Sequence, residues 1–411
     1  MKKHFFTAGI LTASWIAGLI AASAAETARP LAPADDAHAT IIETKVICRE
    51  PGRYLGDGSE YGVDTHMHPS IKKRVLEQER YMGWATMAKT RNGELIVAFS
   101  GDRDAHVCPW GKTQIIRSLD QGTTWSAPHT ITDTPLDDRD AGIIQTRQGT
   151  LLVSWFTSVV FNTPAYATAF ERYARHAETI TPELRKQWLG NWTRRSEDNG
   201  KTWDTPVRTV GTAPHGPNVL RDGRLLYMGM ATFGKKSEVV FEESHDDGQS
   251  WSILARIPQP DWLKAGWCEP HVVELKSGKL IGMIRYQTKP YEESFLLQTE
   301  STDGGRTWTP IHQTKIWGFP PHLLELKNGW LLVSYGHRRE PFGQRACISR
   351  DEGKTWDVEH QVSLAPSIGP DMGYPSSVEL DDGSILTVFY QAEKAGEPTV
   401  LMSTHWKLAK K

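Results

Sequence analysis

The sequence lacks three features that would point to particular classes of protein. It has only four cysteines in 411 residues, and their separations fit no metal-ligand spacing. We expect mainly free thiols at Cys48, Cys108, Cys268 and Cys347, with one disulfide at most. The formal net charge is only −2, which argues against a nucleic-acid partner. After the N-terminal stretch no apolar run is long enough to predict a membrane span.

The first 24 residues have the pattern of a secretory signal. Lys2 and Lys3 form a basic start, the apolar stretch GILTASWIAGLIA follows, and Ala22-Ser23-Ala24 forms a small-residue cleavage site. The apolar stretch is too short to cross a bilayer comfortably. We therefore predict a signal peptide at 1–24, export to the bacterial periplasm or medium, and one mature domain at 25–411.

One eight-residue motif, Ser-x-Asp-x-Gly-x-Thr/Ser-Trp, occurs five times. Its Asp can cap backbone N–H groups, its Gly accepts positive φ, and its Trp buries a large face. Strand-like runs flank each copy, so each copy predicts a hairpin turn within one sheet. Such repetition is typical of propellers and solenoids. The copies start at Ser118, Ser196, Ser244, Ser301 and Ser349.

A second repeat places six hairpins between these motifs. Each has an apolar strand, a turn that ends in glycine, and another apolar strand, which is typical of paired β-strands. Six hairpins predict an all-β, six-bladed β-propeller. The strand at 39–48 is expected to pair with that at 399–406 and so close the ring. The turn glycines are Gly93, Gly149, Gly223, Gly278, Gly329 and Gly383.

The strand order predicts which face carries a ligand site. The first strand of each blade starts on one face, which we call the site face, and the loop between its second and third strands returns there. The repeated turns lie on the opposite face. A site is therefore expected at the channel mouth on the site face. An insertion at about 160–192 also lies there. It predicts two short helices, the second starting at 181–183, which either cover the blade edge or shape substrate entry.

Three chemically active side chains occupy equivalent places on the predicted inner rim. Each stands nine positions before the turn glycine of its blade. Packing or turn capping could explain each one alone. A tyrosine, a glutamate and an aspartate at the same place on three blades are poor choices for a purely structural rim, so we predict a functional cluster. The three are Tyr374, Glu269 and Asp140.

Arginines on the same face are suited to binding an anionic group. Arg285 ends the second strand of the fourth blade, and Arg345 starts the third strand of the fifth. A guanidinium group makes paired hydrogen bonds to a carboxylate. Arg338 and Arg339, in the loop before Arg345, are predicted to be solvated surface residues.

The loop at 101–112, GDRDAHVCPWGK, concentrates charged and titratable groups on the site face. A general acid is expected here, and Asp104 and His106 are both candidates. Arg103 is a candidate for substrate binding. The alternative is a loop whose charges only pair with one another.

Two histidines, His215 and His322, stand near the starts of inner strands. They either bind sugar hydroxyls or are ordinary hydrogen-bonded rim residues. We expect neither a cofactor nor a metal ion.

With these motifs the chain resembles the sialidase (neuraminidase) superfamily, whose repeated turns are called Asp boxes and whose fold is a six-bladed propeller. The resemblance covers nearly the whole mature chain in architecture and only part of the catalytic motifs. It implies a glutamate base at the start of a strand, an arginine at the end of the following strand, and a tyrosine at the start of the last blade. It also implies a substrate-binding aspartate, a second arginine and a general acid. The matching residues are Glu269, Arg285, Tyr374, Asp140, Arg345 and Asp104.

One family motif is absent. Sialidases carry an Arg-Ile-Pro segment at the start of the first blade, where this chain has YMGW at 81–84 and hence Gly83 in place of the arginine. Arg80 is close but shifted, and either it or Arg339 would have to fill the gap. Losing one charge-assisted hydrogen bond weakens carboxylate binding by roughly 1.5–3 kcal/mol. We therefore predict that ordinary sialosides are poor substrates.

Together with these residues, the resemblance implies an exo-acting glycoside hydrolase that releases an acidic or other terminal sugar from a glycan. A neutral Tyr374 nucleophile avoids repulsion by a substrate carboxylate, with Glu269 as its base. Asp104 would protonate the leaving oxygen.

Two other classes of function remain open. The first is another carbohydrate-active propeller, a hydrolase or lyase on uronic-acid or deoxy-sugar polymers, in which His106, His215 or His322 does the acid–base work. The second is a non-catalytic glycan-binding propeller. In every case the expected partner is a glycan or oligosaccharide.

Overall fold

The computed structural model describes residues 38–50, 80–167, 171–263 and 266–409. Its strands form six antiparallel sheets of four strands each. The inner strands of successive sheets contact one another, and those of the last sheet contact those of the first, so the sheets form a ring. This is the predicted six-bladed β-propeller. The predicted signal peptide at 1–24 lies outside the described residues.

The first thirteen strands supply blades one to three and one strand of blade six. They are β1 (Ala39–Cys48), β2 (Tyr81–Lys89), β3 (Leu95–Arg103), β4 (Lys112–Ser118), β5 (His129–Thr132), β6 (Asp137–Gln145), β7 (Leu151–Ser158), β8 (Asn191–Ser196), β9 (Val207–Thr209), β10 (Asn218–Val219), β11 (Leu225–Phe233), β12 (Lys236–Ser244) and β13 (Ser252–Pro258).

The remaining strands complete blades four to six. They are β14 (Trp267–Glu274), β15 (Leu280–Tyr286), β16 (Phe295–Ser301), β17 (His312–Trp317), β18 (His322–Glu325), β19 (Leu331–His337), β20 (Gly343–Ser349), β21 (Val362–Pro366), β22 (Met372–Glu379), β23 (Ile385–Ala392) and β24 (Thr399–Leu408).

The last blade closes the ring with strands from both ends of the described chain. Its order is β1-β24-β23-β22, and β1 pairs antiparallel with β24 from Ala39 opposite Leu408 to Cys48 opposite Leu401. The predicted pairing of 39–48 with the strand near 399 is confirmed. The six turn glycines have φ between 82° and 97°, a left-handed conformation that glycine adopts without strain.

Each repeated motif forms the same turn between the third and fourth strands of its blade. In the first copy the Gly122 N–H donates to Ser118 Oγ at 2.8 Å. The Thr124 N–H and hydroxyl donate to the two carboxylate oxygens of Asp120 at 2.9 and 2.6 Å. Hydrogen bonds from Thr124 and Ser118 lower the pKa of Asp120 to about 2. The turns act as a scaffold, as expected from their sequence.

The insertion in blade two is helical, as predicted. Its described residues form a 3-10 turn at Val160–Asn162 and three α-helical segments, the first two of which flank residues 168–170. The predicted start at 181–183 is confirmed, because Thr181 Oγ1 accepts a hydrogen bond from the Leu184 N–H at 3.3 Å. The helices are α1 (Pro164–Ala167), α2 (Glu171–Thr179) and α3 (Pro182–Trp188).

The insertion packs against the charged loop of blade one. Phe161 and Tyr173 form an apolar cluster with Val107 of that loop and with Leu136. The Tyr173 hydroxyl also donates to the Val107 carbonyl at 3.1 Å. The insertion therefore lies beside the loop at 101–112 on the site face. In the described part of the chain, no helix is long and apolar enough to cross a membrane.

The four cysteines are all free thiols. This confirms the main expectation and excludes the single disulfide. Cys48, Cys108 and Cys347 are buried, and burial raises the pKa of each thiol to about 12. They therefore pack as small apolar groups.

We expect Ser118→Ala to lower the free energy of unfolding by about 1–3 kcal/mol, because it leaves the buried Gly122 N–H without an acceptor. Equilibrium denaturation would measure the loss. The matched control is Ser252→Ala, at an exposed serine of β13. Equal stability of the two variants would contradict a structural role for the repeated turn.

Candidate active site

Four of the six inner strands carry a bulge at the same place near the site face. Trp84, Asp140, Glu269 and Tyr374 have φ of 56°, 53°, 49° and 53°. The pairing register with the neighbouring strand shifts at each of these points. A left-handed non-glycine residue costs on the order of 1 kcal/mol or more, so four in equivalent places indicate a functional constraint. The bulges bring these four side chains together at the channel mouth.

The other two blades have proline at the equivalent place. Pro214 and Pro320 also stand nine positions before their turn glycines. Because the proline ring fixes φ near −65°, neither residue can adopt the left-handed bulge. The innermost strand pairs of these blades accordingly show no register shift. Trp84 has the same spacing from Gly93, a sequence signal that would have identified it.

Tyr374 and Glu269 are in direct contact, as predicted. The Tyr374 hydroxyl donates to Glu269 Oε1 at 2.7 Å. Arg285 Nη1 donates to Glu269 Oε2 at 2.6 Å and lies 3.5 Å from the Tyr374 hydroxyl. Arg285 Nη2 donates to Gln287 Oε1 at 2.8 Å, which fixes the guanidinium plane. These three groups from blades four and six form one hydrogen-bonded unit.

The electrostatics of this unit keep Tyr374 neutral and Glu269 ionised. Burial raises the pKa of Tyr374 well above its usual value, and the negative charges of Glu269 and Asp140 raise it further. Burial alone would raise the pKa of Glu269. The Arg285 charge and the Tyr374 hydrogen bond outweigh burial and lower it. Glu269 is therefore placed to accept the phenol proton once a positive centre forms beside the tyrosine.

Asp140 shares the pocket and has a free oxygen. Its side chain is 7% exposed, and its Oδ1 has no hydrogen-bond partner among the described residues. Burial raises the pKa of Asp140 to about 7, against the attraction of Arg139 and with a further rise from Glu269. A buried polar atom without a partner is costly, so a ligand hydroxyl is its expected partner.

Arg338 belongs to the pocket, and the prediction of a solvated surface residue was wrong. Its guanidinium carbon lies 5.6 Å from the centre of the Tyr374 ring and 5.7 Å from that of Phe319. Arg338 Nη2 donates to the Tyr390 hydroxyl at 3.4 Å. Gly373 makes room for it, since a Cβ there would lie 3.2 Å from Nη2. Among the described residues no carboxylate pairs with Arg338, so an anion can bind there.

Arg345 lies elsewhere. Its Nη1 donates to Gln361 Oε1 at 3.5 Å, beside Tyr335 and Arg339. The structure records no contact between Arg345 and the Tyr374 unit, so the predicted grouping was wrong. Arg339, predicted to be on the surface, is exposed and stacks on Trp317 at 4.3 Å. Because it is turned to Trp317, it does not fill the place of the missing arginine.

Asp104 is occupied by two arginines. Arg80 and Arg172 each pair with one of its carboxylate oxygens, and its side chain is 6% exposed. Arg172 comes from α2 of the insertion, so the pair ties the insertion to blade one. Arg80 also pairs with Asp102 at 3.0 Å. Asp104 therefore does not point into the pocket, and Arg80 does not replace the missing arginine.

Arg103 is also structural. It is fully buried and pairs with Asp137 at 2.7 Å. Its guanidinium also donates to the carbonyls of Asp138 at 3.1 Å and His106 at 3.0 Å. It holds the loop against blade two and has no hydrogen to offer a ligand, which contradicts its predicted role in substrate binding.

His106 is the loop residue at the mouth. Its side chain is 35% exposed, and its ring packs edge-on against Trp84 at 4.9 Å. Trp84 in turn lies 6.4 Å from Tyr374. His106 Nδ1 contacts the Tyr81 hydroxyl at 3.0 Å. Of the two predicted acids, only His106 is open to a bound ligand.

His215 and His322 lie in the channel and form a cluster with His271. The ring centres are 4.7 to 5.6 Å apart, and His215 lies 6.3 Å from Tyr374. Burial lowers the pKa of His322 to about 3 and those of the other two well below their usual value. His215 Nε2 is buried without a partner. In the described part of the chain, no group of three or more His, Cys, Asp or Glu side chains is arranged to hold a metal ion.

Comparison of the sequence with known families identifies the group to which the chain belongs. The BNR repeat-like domain family matches residues 178–387. The chain belongs to the BNR repeat-like domain family. A xyloglucanase from Paenibacillus sp. is 24% identical over 198 residues, which cover 43% of this chain and 18% of that protein. This BNR propeller thus spans about a fifth of the length of that curated relative.

Solved structures show the same fold. A protein of unknown function from Dyadobacter fermentans superposes with a TM-score of 0.70, at 22% identity, over 91% of this chain and all of that one. The NanB sialidase of Streptococcus pneumoniae superposes at 0.57, at 15% identity, over 80% and 68% of the chains. The Trypanosoma rangeli sialidase superposes at 0.54, at 16% identity, over 89% and 58%. The BNR propeller therefore has the six-bladed fold of sialidases.

We expect Asp140→Asn to stabilise the protein increasingly as the pH rises from 5 to 7. The pKa of Asp140, about 7, exceeds the ordinary value near 4, so the stability that its protonated form contributes is lost as the pH rises through 7. The asparagine variant should gain up to about 1.4 kcal/mol per pH unit relative to the wild type.

Denaturation at several pH values measures this difference. The control is Asp261→Asn, at an exposed aspartate. A stability difference between Asp140→Asn and the wild type that does not change with pH would show that Asp140 ionises normally.

Proposed function

We propose that this protein is an exo-acting glycoside hydrolase that releases a terminal, acidic sugar from a glycan. The observation that carries the proposal is the contact of Tyr374 with Glu269 at 2.7 Å, with Arg285 holding the carboxylate. A neutral phenol beside an ionised carboxylate is a nucleophile with its base in place. The strained backbone at both residues argues against a purely structural pair.

In the first step the Tyr374 oxygen forms a bond to the anomeric carbon as the glycosidic bond breaks. The phenol proton passes to Glu269, and the leaving oxygen takes a proton from His106. Because the pKa of Tyr374 is raised, this proton moves only as positive charge develops on the sugar. Arg285, 3.5 Å from the phenol oxygen, stabilises the negative charge that forms there.

In the second step water releases the sugar. Neutral His106 takes a proton from water as the water oxygen bonds to the anomeric carbon. The bond from that carbon to Tyr374 breaks, and the tyrosine oxygen takes its proton back from Glu269. The enzyme returns to its initial protonation state, as a double-displacement mechanism requires.

An acidic group on the sugar is favoured by the charges in the pocket. Arg285 is largely neutralised by Glu269, whereas Arg338 has no carboxylate partner among the described residues. Arg338 is therefore the principal anion-binding group that we propose. Asp140, with its free oxygen, would bond a sugar hydroxyl.

The comparisons support the class of reaction and leave the substrate open. The structural neighbours include sialidases, and the curated relative is a xyloglucanase, so both kinds of match name glycan-cleaving enzymes. The signal-like pattern at 1–24 supports our proposal that the protein acts in the periplasm or outside the cell.

A second candidate reaction is elimination from a uronic-acid polymer. The observation that favours it is Asp371, a carboxylate that lies beside Tyr81 and His106, near the place where a third arginine was expected. A carboxylate there disfavours an acidic group on the anomeric carbon but permits one elsewhere on the ring. Elimination would give an unsaturated product that absorbs in the ultraviolet, whereas hydrolysis would not.

We expect the purified protein to release the aryl group from at least one acidic aryl glycoside in a panel of terminal sugars. Sialyl aryl glycoside should be turned over ten- to a hundredfold less efficiently than the best substrate, because the third guanidinium is missing. Tyr374→Phe should lose on the order of a thousandfold or more of kcat/KM.

The control is Tyr227→Phe, which removes a buried hydroxyl that is bonded to the Ala213 N–H at 3.0 Å. No release from any member of the panel would contradict a hydrolase. Efficient sialoside turnover that Tyr374→Phe abolishes would contradict only the substrate prediction.

A further inference from the structure

Asp371 lies beside His106 at the channel mouth, one residue before β22. Its Oδ1 accepts hydrogen bonds from the hydroxyls of Tyr81 at 3.1 Å and Tyr390 at 3.4 Å. His106 Nδ1 lies 3.5 Å from the same oxygen and 3.0 Å from the Tyr81 hydroxyl. Nothing in the spacing of the sequence predicted this cluster, since its members come from β2, the blade-one loop, β23 and the segment before β22.

The geometry fixes which nitrogen of His106 carries a proton. Tyr81 has one hydroxyl hydrogen, and an ionised Asp371 can only accept. If Tyr81 donated to His106 instead, Asp371 Oδ1 would face lone pairs on the Tyr81 oxygen at 3.1 Å and on His106 Nδ1 at 3.5 Å. The favourable arrangement has Tyr81 donating to Asp371 and His106 Nδ1–H donating to the Tyr81 oxygen. His106 Nε2 is then the atom that takes up or releases a proton.

We propose that Asp371 and Tyr81 are positioning residues, which hold His106 in one tautomer and favour its cationic form for proton donation through Nε2. This rests on the proposed function, because it gives His106 the role of acid. Asp371 and Tyr81 would act through His106 and need not contact the reacting atoms. The arrangement is that of a carboxylate behind a catalytic histidine, with a tyrosine hydroxyl between them.

The other charged groups around His106 oppose its protonation. Arg103 and Arg139 donate to the His106 carbonyl at 3.0 and 3.1 Å. Burial lowers the pKa of the imidazole, and the charges of these two arginines lower it further. Asp371 is the group that raises it. Its own carboxyl keeps a lowered pKa, because His106, Arg338 and the Tyr81 hydrogen bond outweigh burial. Asp371 therefore supplies a negative charge that favours the protonated form of His106.

The same cluster accounts for Gly83. A Cβ at position 83 would lie 3.3 Å from the Tyr81 ring and 3.9 Å from that of Tyr390. Tyr81 thus fills the space that a longer side chain at 83 would need. The chain therefore has Tyr81 and Asp371 near the place where an arginine was expected. The arrangement that leaves out that arginine also positions His106.

Both groups can exchange protons with solvent. The side chains of His106 and Asp371 are 35% and 51% exposed. The Trp84 ring lies beside both halves of the site, with its centre 4.9 Å from that of His106 and 6.4 Å from that of Tyr374. A leaving group that departs toward the mouth would pass His106, whereas the sugar would remain at Tyr374.

The test compares Asp371→Asn and Tyr81→Phe with the wild type by NMR of labelled imidazole. Asp371→Asn should lower the pKa of His106 by about one unit, because an opposite charge within a few ångströms is removed. Tyr81→Phe should reduce the population with the proton on Nδ1. The control is Asp204→Asn, at an aspartate 54% exposed that pairs with Arg195 outside the pocket. An unchanged or higher His106 pKa in Asp371→Asn would overturn the proposal.

Kinetics separate this proposal from the proposed function. Since the acid must be protonated, the alkaline limb of kcat/KM should move to lower pH by about the same one unit in Asp371→Asn. His106→Ala should lose most activity on poor leaving groups and little on activated aryl glycosides, and His245→Ala, at a 65% exposed histidine, should lose none. If the pKa of His106 fell but the alkaline limb of kcat/KM stayed at the same pH, His106 would not be the acid. The proposal that Tyr374 is the nucleophile would still stand.

Discussion

The site depends on one backbone constraint, the left-handed bulge on four inner strands. Without it the strands would alternate side chains between the two faces of a blade, and Trp84, Asp140, Glu269 and Tyr374 would not meet at the channel mouth. Each bulge costs on the order of 1 kcal/mol or more. The six-bladed ring tolerates this strain because the Asp-box turns and the closure of the ring stabilise the blades away from the channel.

The charges in the pocket follow from these positions. Arg285 neutralises Glu269 and is held by Gln287, so Tyr374 faces an ionised base without facing an uncompensated negative charge. Arg338 adds a positive charge that forms no ion pair with a described carboxylate, and Asp371 adds a negative one at the mouth. The Tyr390 hydroxyl lies between them, 3.4 Å from Arg338 Nη2 and 3.4 Å from Asp371 Oδ1. Under the proposed function, Arg338 would bind the sugar and His106, beside Asp371, would deliver the proton.

The fold could be predicted from the sequence because the turn chemistry repeats, and Asp140, Glu269 and Tyr374 because they share a spacing from their turn glycines. The rest depends on contacts between distant segments. Asp104 matched the expected acid by position, but Arg172, from the insertion in blade two, pairs with it. Arg338 and Arg345 both lie on blade five, but Arg338 lies over the Tyr374 ring whereas Arg345 contacts Gln361.

The proposed mechanism depends on a covalent bond between Tyr374 and the sugar. The most direct measurement is peptide mapping by mass spectrometry, after the protein has been incubated with a fluorinated acidic glycoside whose second step is slow and then acid-quenched. We expect one sugar mass on the peptide that contains Tyr374, and none in Tyr374→Phe. Label on Glu269 or another carboxylate, or turnover with inverted configuration and no labelled peptide, would contradict it.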